Sequence, residues 1–368
     1  MINKETKDKI LTWLLTPLSW LYGTATSLRN LAYDRHLMAR HELDVPIISV
    51  GNLAVGGTGK TPHVEFLISN LALDYHIGVL SRGYKRRTRG YVLANSSSTA
   101  ETIGDEPFQI YRKFGMMSKV AVCENRTEGM KRLLQDHPEI NLIILDDAFQ
   151  RRELQPKVSI LLTDCHRPYY EDNVLPLGRL RESKHGAERA DIIVVTKCPA
   201  DMQPIDYRQI AQKIDKLSFQ KLFFTRFHYG ELKPVFPEDC PYQASMSRLT
   251  DRDAVLLLTG IANPRFFIRQ FKQYPVRKKV FHFQDHHAFT RSDLLRIEKM
   301  YEDMEGERKL IVTTEKDAAR LLSNPYFPEQ LKKFIFFQPI EVKVLDGLDG
   351  PELIETVKAI IEKKNPLD

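Results

Sequence analysis

Ala54, Val55, Gly56, Gly57, Thr58, Gly59, Lys60 and Thr61 form one unbroken run, and these types in this order suit the handling of a triphosphate. Gly56, Gly57 and Gly59 let the backbone wrap phosphate closely with its amide N–H groups turned inward. Lys60 is placed to reach the β- and γ-phosphates, and the Thr61 hydroxyl to ligate Mg²⁺. Ala54 stands where such loops usually carry glycine. A short apolar run, Val45–Val50, precedes the loop, and a helical pattern, Thr61–Leu71, follows it. The loop therefore opens into a helix whose N-terminal dipole favours anions. This spacing predicts binding of ATP with Mg²⁺, with Ala54–Thr61 around the nucleotide and Lys60 acting on the transferred phosphate.

Magnesium bound at such a loop needs a second oxygen ligand, set at the end of a neighbouring buried strand. Asn141–Leu145 followed by Asp146 and Asp147 supplies it, because adjacent acids after an apolar strand are costly without a cation. One of them could instead cap a helix. Arg82, Arg179 and Arg181 are candidate contacts to nucleotide or substrate phosphate through bidentate guanidinium geometry, the alternative being surface ion pairs. Lys85, Arg86, Arg87 and Arg89 read as a solvated or membrane-facing loop. A guanine reader would need Asn-Lys-x-Asp, and Thr196, Lys197, Cys198 and Pro199 lack both ends of it. The loop alone does not name an acceptor. An ATPase acting as a membrane-associated conformational switch is the alternative to a kinase.

The elements that must position these residues follow from hydrophobic pattern. Strand candidates at His76–Leu80, Lys119–Cys123, Asn141–Leu145, Val158–Thr163 and Asp191–Thr196 are mostly continuous Ile, Val and Leu runs, as in strands buried on both faces of a parallel sheet. Helical segments such as Arg126–Gln135 alternate with them, which implies a doubly wound α/β sheet. Pro204, Pro234, Pro237 and Pro241 punctuate the next stretch, and Leu222–Phe227 looks like an isolated strand there. A second α/β rhythm runs through Ala254–Thr259, Pro264–Gln273, Lys279–Phe283, Arg291–Tyr301, Leu310–Thr313, Lys316–Leu322 and Phe334–Gln338. The expected division is 1–40 as a membrane-associating helical segment, 41–220 as the nucleotide domain, 221–252 as a linker, and 253–368 as a smaller α/β domain. The last helix, near Glu352–Glu362, is free to pack on either domain. A chain of 368 residues, 42% hydrophobic, has room for two such cores.

Other classes are disfavoured. Cys123, Cys165, Cys198 and Cys240 show no metal-ligand spacing and read as reduced thiols. A net charge of +6 does not mark a nucleic-acid binder, and no nucleic-acid module is visible. No nucleic-acid partner and no obligate protein partner is implied. Ile10–Leu28 carries no charged residue, and Lys4, Lys7, Lys9, Arg29, Arg35 and Arg40 flank it. Trp13, Trp20 and Tyr22 suit the headgroup boundary, so the segment reads as an interfacial helix on an anionic leaflet. The alternative is a helix packed into the core.

The strings at Gly51–Pro62, Ser81–Tyr84, Gly104–Pro107, Leu145–Gln150, Leu175–Glu182, Val194–Lys197, Thr259–Pro264, Asp285–Phe289 and Thr313–Leu321 occur together in this order. That set resembles the tetraacyldisaccharide 4′-kinases, the lipid A 4′-kinases of Gram-negative bacteria, over roughly residues 10 to 340. Ala148 departs from the glycine of many members without removing a ligand. The resemblance implies a doubly wound, mostly parallel sheet of the P-loop NTPase type, a second, smaller α/β domain and an N-terminal membrane-interfacial helix. It also implies transfer of the ATP γ-phosphate to the 4′-hydroxyl of a tetraacylated glucosamine disaccharide 1-phosphate. The setting it implies is the cytoplasmic face of the inner membrane, with peripheral or monotopic association at an anionic surface. Asp105 matches the family's catalytic aspartate and His286 its histidine partner. By residue types alone, Asp105 on its Gly104–Pro107 loop is as much a turn or helix-capping residue as a base. On the expected division Asp105 belongs to the first domain and His286 to the second, with the active site in the cleft and closure gating it. Asp285, His286 and His287 lack the further ligands a zinc site would need.

Overall fold

The computed structural model describes residues 4–41, 43–240, 244–346 and 352–363, with side chains from Thr12 onward. In chain order the first elements are α1 (Lys4–Asp34), β1 (Ile47–Asn52), α2 (Lys60–Leu71), β2 (Ile77–Ser81), β3 (Val92–Leu93), α3 (Ala100–Ile103), α4 (Asp105–Phe114) and β4 (Ser118–Val122). Then come α5 (Arg126–Asp136), β5 (Leu142–Asp146), β6 (Val158–Asp164), β7 (Ile192–Thr196), α6 (Pro204–Ile214), β8 (Lys221–Tyr229) and β9 (Lys233–Pro234). The remainder are β10 (Ala254–Thr259), α7 (Arg265–Gln270), β11 (Arg277–His282), α8 (Arg291–Glu302), β12 (Lys309–Thr314), α9 (Glu315–Leu322), β13 (Ile335–Gln338), β14 (Ile340–Val344) and α10 (Leu353–Glu362).

These elements fall into two units: Met1–Arg82, Met116–Phe227 and Val342–Asp368 form the first, and Gly83–Gly115 with His228–Glu341 the second. In the first, the strand order runs β14-β8-β7-β6-β1-β5-β2-β4. Every pair from β8 to β4 is parallel. β1 and β5 are buried at every position, as their unbroken apolar runs require. Because β1 lies between β5 and β6, the loop after β1 emerges at the carboxyl edge where connections leave in opposite directions. Open α/β sheets bind ligands at that point. In the second unit the order is β11-β10-β12-β13-β9, with only β9 antiparallel. Alternate β10 residues feed opposite layers: Leu256 and Leu258 pack with Leu294, Ile297 and Leu321, while Val255 and Leu257 pack with Phe267 and Phe271.

Four expectations change. Residues 83–115 belong to the second unit, not the nucleotide domain, and 228–252 are not a linker. Leu232, Val235, Phe236, Met246 and Leu249 are buried in that unit's core layers. The strand read as isolated at Leu222–Phe227 is part of β8, paired in parallel with β7. Pro204, read as a break, starts α6, since proline at the first helical position loses no hydrogen bond. The last helix packs on the first unit, against α2 and β6, where Lys358 pairs with Asp74 at 2.7 Å. Pro241, residues 1–3 and 364–368, and the side chains of Lys4, Lys7 and Lys9 lie outside the described residues.

α1 is packed with its amphipathicity reversed. Ser19, Gly23, Thr26, Asn30 and Tyr33, at helical spacing, are the covered face. Ser19 Oγ donates to the Val174 carbonyl at 2.6 Å, and Asn30 Nδ2 to Glu182 at 2.7 Å. The large apolar residues point away: Trp13 is 77% and Trp20 74% exposed, with Leu14, Leu18, Leu21 and Leu28 exposed beside them. A helix buried in the core would show the opposite arrangement.

Candidate active site

The first unit holds the glycine-rich loop as the spacing predicts. Gly56 has φ 117° and Gly59 φ 93°. Gly59 is the N-cap of α2, and a Cβ there would lie 2.5 Å from the Phe227 ring, so conformation and space both demand glycine. The loop is braced from outside. Val55 N–H donates to the Arg179 carbonyl and Arg181 N–H to the Leu53 carbonyl, each at 2.8 Å. Thr196 Oγ1 donates to Thr58 O at 2.8 Å, while Lys197 donates to Gly57 O and pairs with Asp164 at 2.6 Å. Thr196 and Lys197, dismissed above as a guanine reader, thus act as a clamp on the loop.

Register sets the carboxylates beside the loop: Val50 of β1 pairs with Asp146 of β5. Asp146 is 1% exposed. Asp147, at φ 50°, turns toward Lys60, whose Nζ lies 3.7 Å from its Oδ1. Arg181 grips the same carboxylate with Nη2 at 2.8 Å and Nη1 at 3.3 Å. Burial raises the Asp147 pKa, but Lys60 and then Arg181 outweigh it and hold the carboxyl below its usual value. Asn52 Oδ1 accepts from both Arg181 and Lys60. The buried Asn52 Nδ2, Thr58 Oγ1 and Arg181 Nε find no hydrogen-bond partner among the described residues. Buried donors of this kind call for an acceptor, and the phosphate oxygens of a nucleotide are acceptors. Thr61, Asp146 and Asp147 are hard-oxygen donors, and Mg²⁺ is commonly held by one or two carboxylates together with substrate phosphates. The residues fit both groups.

Composition gave no warning of several members of this cluster. Gln150 Nε2 bridges the Asn52 carbonyl at 2.8 Å and Glu182 at 3.1 Å. Arg126, almost wholly buried, donates to the Cys123 and Asp146 carbonyls; burial draws its pKa down to about 10 despite Asp146 nearby. The signal for Arg126 was its place directly after Asn125, the N-cap of α5, opposite the Asp146 strand end. Of the predicted basic residues, Arg181 joins the cluster. Arg82 is exposed just after β2, and Arg179 lines a surface cavity of about 290 Å³ with His166, Arg167 and Glu171.

His63, one turn into α2, is buried, with Nδ1 2.8 Å from Gly59 O and Nε2 3.0 Å from Thr225 Oγ1. Burial lowers its pKa from 6.5 to about 4. The folded value lies below the unfolded one, so between them the unfolded chain binds more protons. Stability therefore falls as pH drops from about 6.5 toward 4, by up to about 3 kcal/mol from this group. Urea unfolding of wild type and His63→Gln along that pH range should show the wild-type slope flattened in the variant.

The second unit brings Asp105 and His286 together. Asp105 is not on a loop but is the first residue of α4, after Gly104 at φ 93°. A Cβ on Gly104 would come within 3.1 Å of the Gly83 backbone. Asp105 Oδ2 lies 2.9 Å from His286 Nδ1 and accepts from Arg320 Nε at 2.9 Å and from Nη2. Lys316 Nζ is 3.8 Å away. Burial raises the Asp105 pKa, but His286, Lys316 and Arg320 together hold it well below the carboxylate range. Both residues belong to one unit, not to opposite ones as the sequence division implied. Residues 83–115 leave the β2–β4 connection of the first unit and pack on α9, a long-range pairing that local pattern does not encode. His286 itself has φ 57°, an uncommon conformation for a side-chain-bearing residue and one that clusters at functional sites. It points its ring at Asp105 while His287 pairs with Asp293 at 2.9 Å.

A glycine-rich phosphate loop closing the central strand of a parallel sheet, with carboxylates at the next strand end, defines the class of P-loop nucleotide-binding α/β proteins. Within that class, the family model described as Tetraacyldisaccharide-1-P 4′-kinase matches residues 11–362. The chain belongs to the tetraacyldisaccharide 4′-kinase family. A tetraacyldisaccharide 4′-kinase of Bacteroides thetaiotaomicron is 47% identical over 92% of this chain and 90% of its own length. One from Porphyromonas gingivalis (strain ATCC 33277) is 40% identical over 92% and 94%. Among solved structures, LpxK from Aquifex aeolicus in complex with ATP superposes with a TM-score of 0.71 at 27% identity, covering 95% of this chain and 98% of that one.

Proposed function

We propose that this chain transfers the γ-phosphate of ATP to the 4′-hydroxyl of a tetraacylated glucosamine disaccharide 1-phosphate, a step in lipid A synthesis. Ala54–Thr61 wraps the triphosphate, and Lys60 sits at the β- and γ-phosphates. Thr61, Asp146 and Asp147 would hold Mg²⁺, which when bound neutralises charge on those phosphates. Asp105, oriented by His286, takes the hydroxyl proton as the new oxygen–phosphorus bond forms and the bond to the ADP oxygen breaks. Arg82, Arg179 and Arg181 are assigned to nucleotide or acceptor phosphate.

The observation that carries this reading is the Asp105–His286 contact at 2.9 Å. A switch ATPase has no need of a base oriented for a hydroxyl acceptor. Incubation with γ-labelled ATP and the disaccharide lipid should place label in the lipid, and the monosaccharide analogue should accept poorly. Brisk hydrolysis without lipid, and no labelled lipid with it, would instead favour the switch.

Attachment to the cytoplasmic face of the inner membrane is the setting we assign, through α1. Among the described residues no helix is long and apolar enough to cross a membrane. The outward row of Trp13, Leu14, Leu18, Trp20 and Leu21 supports a helix lying in the headgroup layer. Trp13→Ala with Trp20→Ala should weaken co-sedimentation with phosphatidylglycerol vesicles by about tenfold or more, given ~1.5–3 kcal/mol per buried large side chain. Unchanged sedimentation would remove the interfacial helix.

A further inference from the structure

We propose that Lys316 and Arg320 are positioning residues: Lys316 fixes the tautomer of His286, and Arg320 selects which oxygen of Asp105 receives the proton. This deepens the preceding reading and rests on Asp105 being the base. Both lie on α9, in the Thr313–Leu321 string whose chemistry the sequence left unassigned.

An ammonium group has donors and no acceptor. Lys316 Nζ stands 3.1 Å from His286 Nε2, so Nε2 must accept. A neutral imidazole carries one N–H, which then sits on Nδ1 and donates to Asp105 Oδ2 at 2.9 Å. Lys316 keeps its charge in this setting. Burial lowers its pKa, but Glu106 at 3.0 Å, with Asp105 and Asp285 each at 3.8 Å, more than reverses the effect. Tyr84 packs edge-on against the His286 ring, 5.1 Å between centroids, and limits its rotation.

Arg320 completes the arrangement. Its Nε and Nη2 donate to Asp105 Oδ2, the oxygen already facing His286. Arg320 is itself held by Asp317 at 2.7 Å and by the Gly260 carbonyl at 3.0 Å. Asp317, fully buried, is fixed by Thr314 Oγ1 at 2.6 Å and the Gly260 amide at 2.8 Å. Oδ2 is therefore filled by donors, whereas Oδ1 accepts from the Glu106 amide at 3.0 Å and retains acceptor capacity. The acceptor's proton goes to Oδ1. His286 Nδ1, already protonated, orients the carboxylate and does not take that proton.

Selective ¹⁵N-histidine labelling tests this in the full chain, with His286→Gln assigning the His286 signals. At neutral pH the ring should show Nδ1 protonated and Nε2 bare. Lys316→Met should lose that pure signature and lower kcat about tenfold with the KM for ATP within about twofold, while Lys316→Arg, which keeps a donor, should restore the signature and part of kcat. An Nε2–H ring or an imidazolium in the wild type overturns the proposal, as does a Lys316→Met ring with the wild-type signature in a protein that still melts cooperatively. Full activity in Asp105→Asn would remove the base assignment and leave the tautomer result standing, so the two failures are separable.

Discussion

Asp105→Asn should lower kcat on the order of 10³-fold and leave ATP affinity within about twofold. The amide keeps the size of the carboxylate but cannot take up a proton at neutral pH. The substitution leaves the contacts of the triphosphate loop in place, since those of Asp105 run to His286, Arg320, Lys316 and the Glu106 amide. Asp105→Ala is the less clean test. It removes an anion shared by Arg320 and Lys316, both largely buried, so that Arg320 keeps Asp317 and Lys316 keeps Glu106, and loss of the base is mixed with a rearranged charge cluster. His286→Ala should lower kcat less, because the carboxylate and its Arg320 contacts remain. The pH dependence has a definite sign. The folded Asp105 pKa is depressed below its ordinary 3.8, so the carboxylate stays ionised through neutrality. Its stabilising contribution is present above about pH 4 and lost as pH falls further. Any acid limb of kcat near neutrality must come from another group. Steady-state kinetics with nucleotide titration calorimetry checks each point, and wild-type turnover in Asp105→Asn would end the base assignment.

How much of this was legible depended on whether the signal was local. The phosphate loop was, because glycine spacing, Lys60, Thr61 and the strand–loop–helix setting are neighbours in sequence. The buried parallel strands were too, since burial on both faces leaves an unbroken apolar run. Asp146 and Asp147 could be placed because they end such a run. Prolines misled: Pro204 was punctuation by type but a helix start by position. The assignment of 83–115 failed for a different reason. That segment lies between β2 and β4 in sequence, yet α3 and α4 pack on α9, some 200 residues away. Arg320 and Lys316 were illegible likewise. A Lys and an Arg one turn apart on a short helix look like a solvated face until Asp105 and Asp317 are brought to them. The reversed face of α1 was half legible: its tryptophans suggested a row turned away from the core, but only the structure shows that serine, glycine and asparagine make the docked side.

Lys60→Ala should lower kcat/KM on the order of 10³-fold, the lower end of what one positioned cation contributes to phosphoryl transfer. The geometry says why no neighbour substitutes. Lys60 is the first residue of α2, so its ammonium leaves the helix N-terminus beside the loop amides. Arg181, the other cation on Asp147, has both Nη groups on that carboxylate and Asn52 and can offer a phosphate its Nε without taking over the place of Lys60. Among the described residues Lys60, by contrast, makes only long contacts, 3.4 Å to Asn52 Oδ1 and 3.7 Å to Asp147 Oδ1. A weakly held ammonium can move to a phosphate at little cost, whereas a bidentate guanidinium must first break two hydrogen bonds. Lys60→Arg should therefore rescue poorly, its planar fork lacking the compact charge that fits between loop and strand. Thermal stability should change by less than about 1 kcal/mol in either variant, since the pair being lost is long and partly solvated. A large drop in melting temperature with turnover preserved would mean that Lys60 serves the fold and not the phosphate.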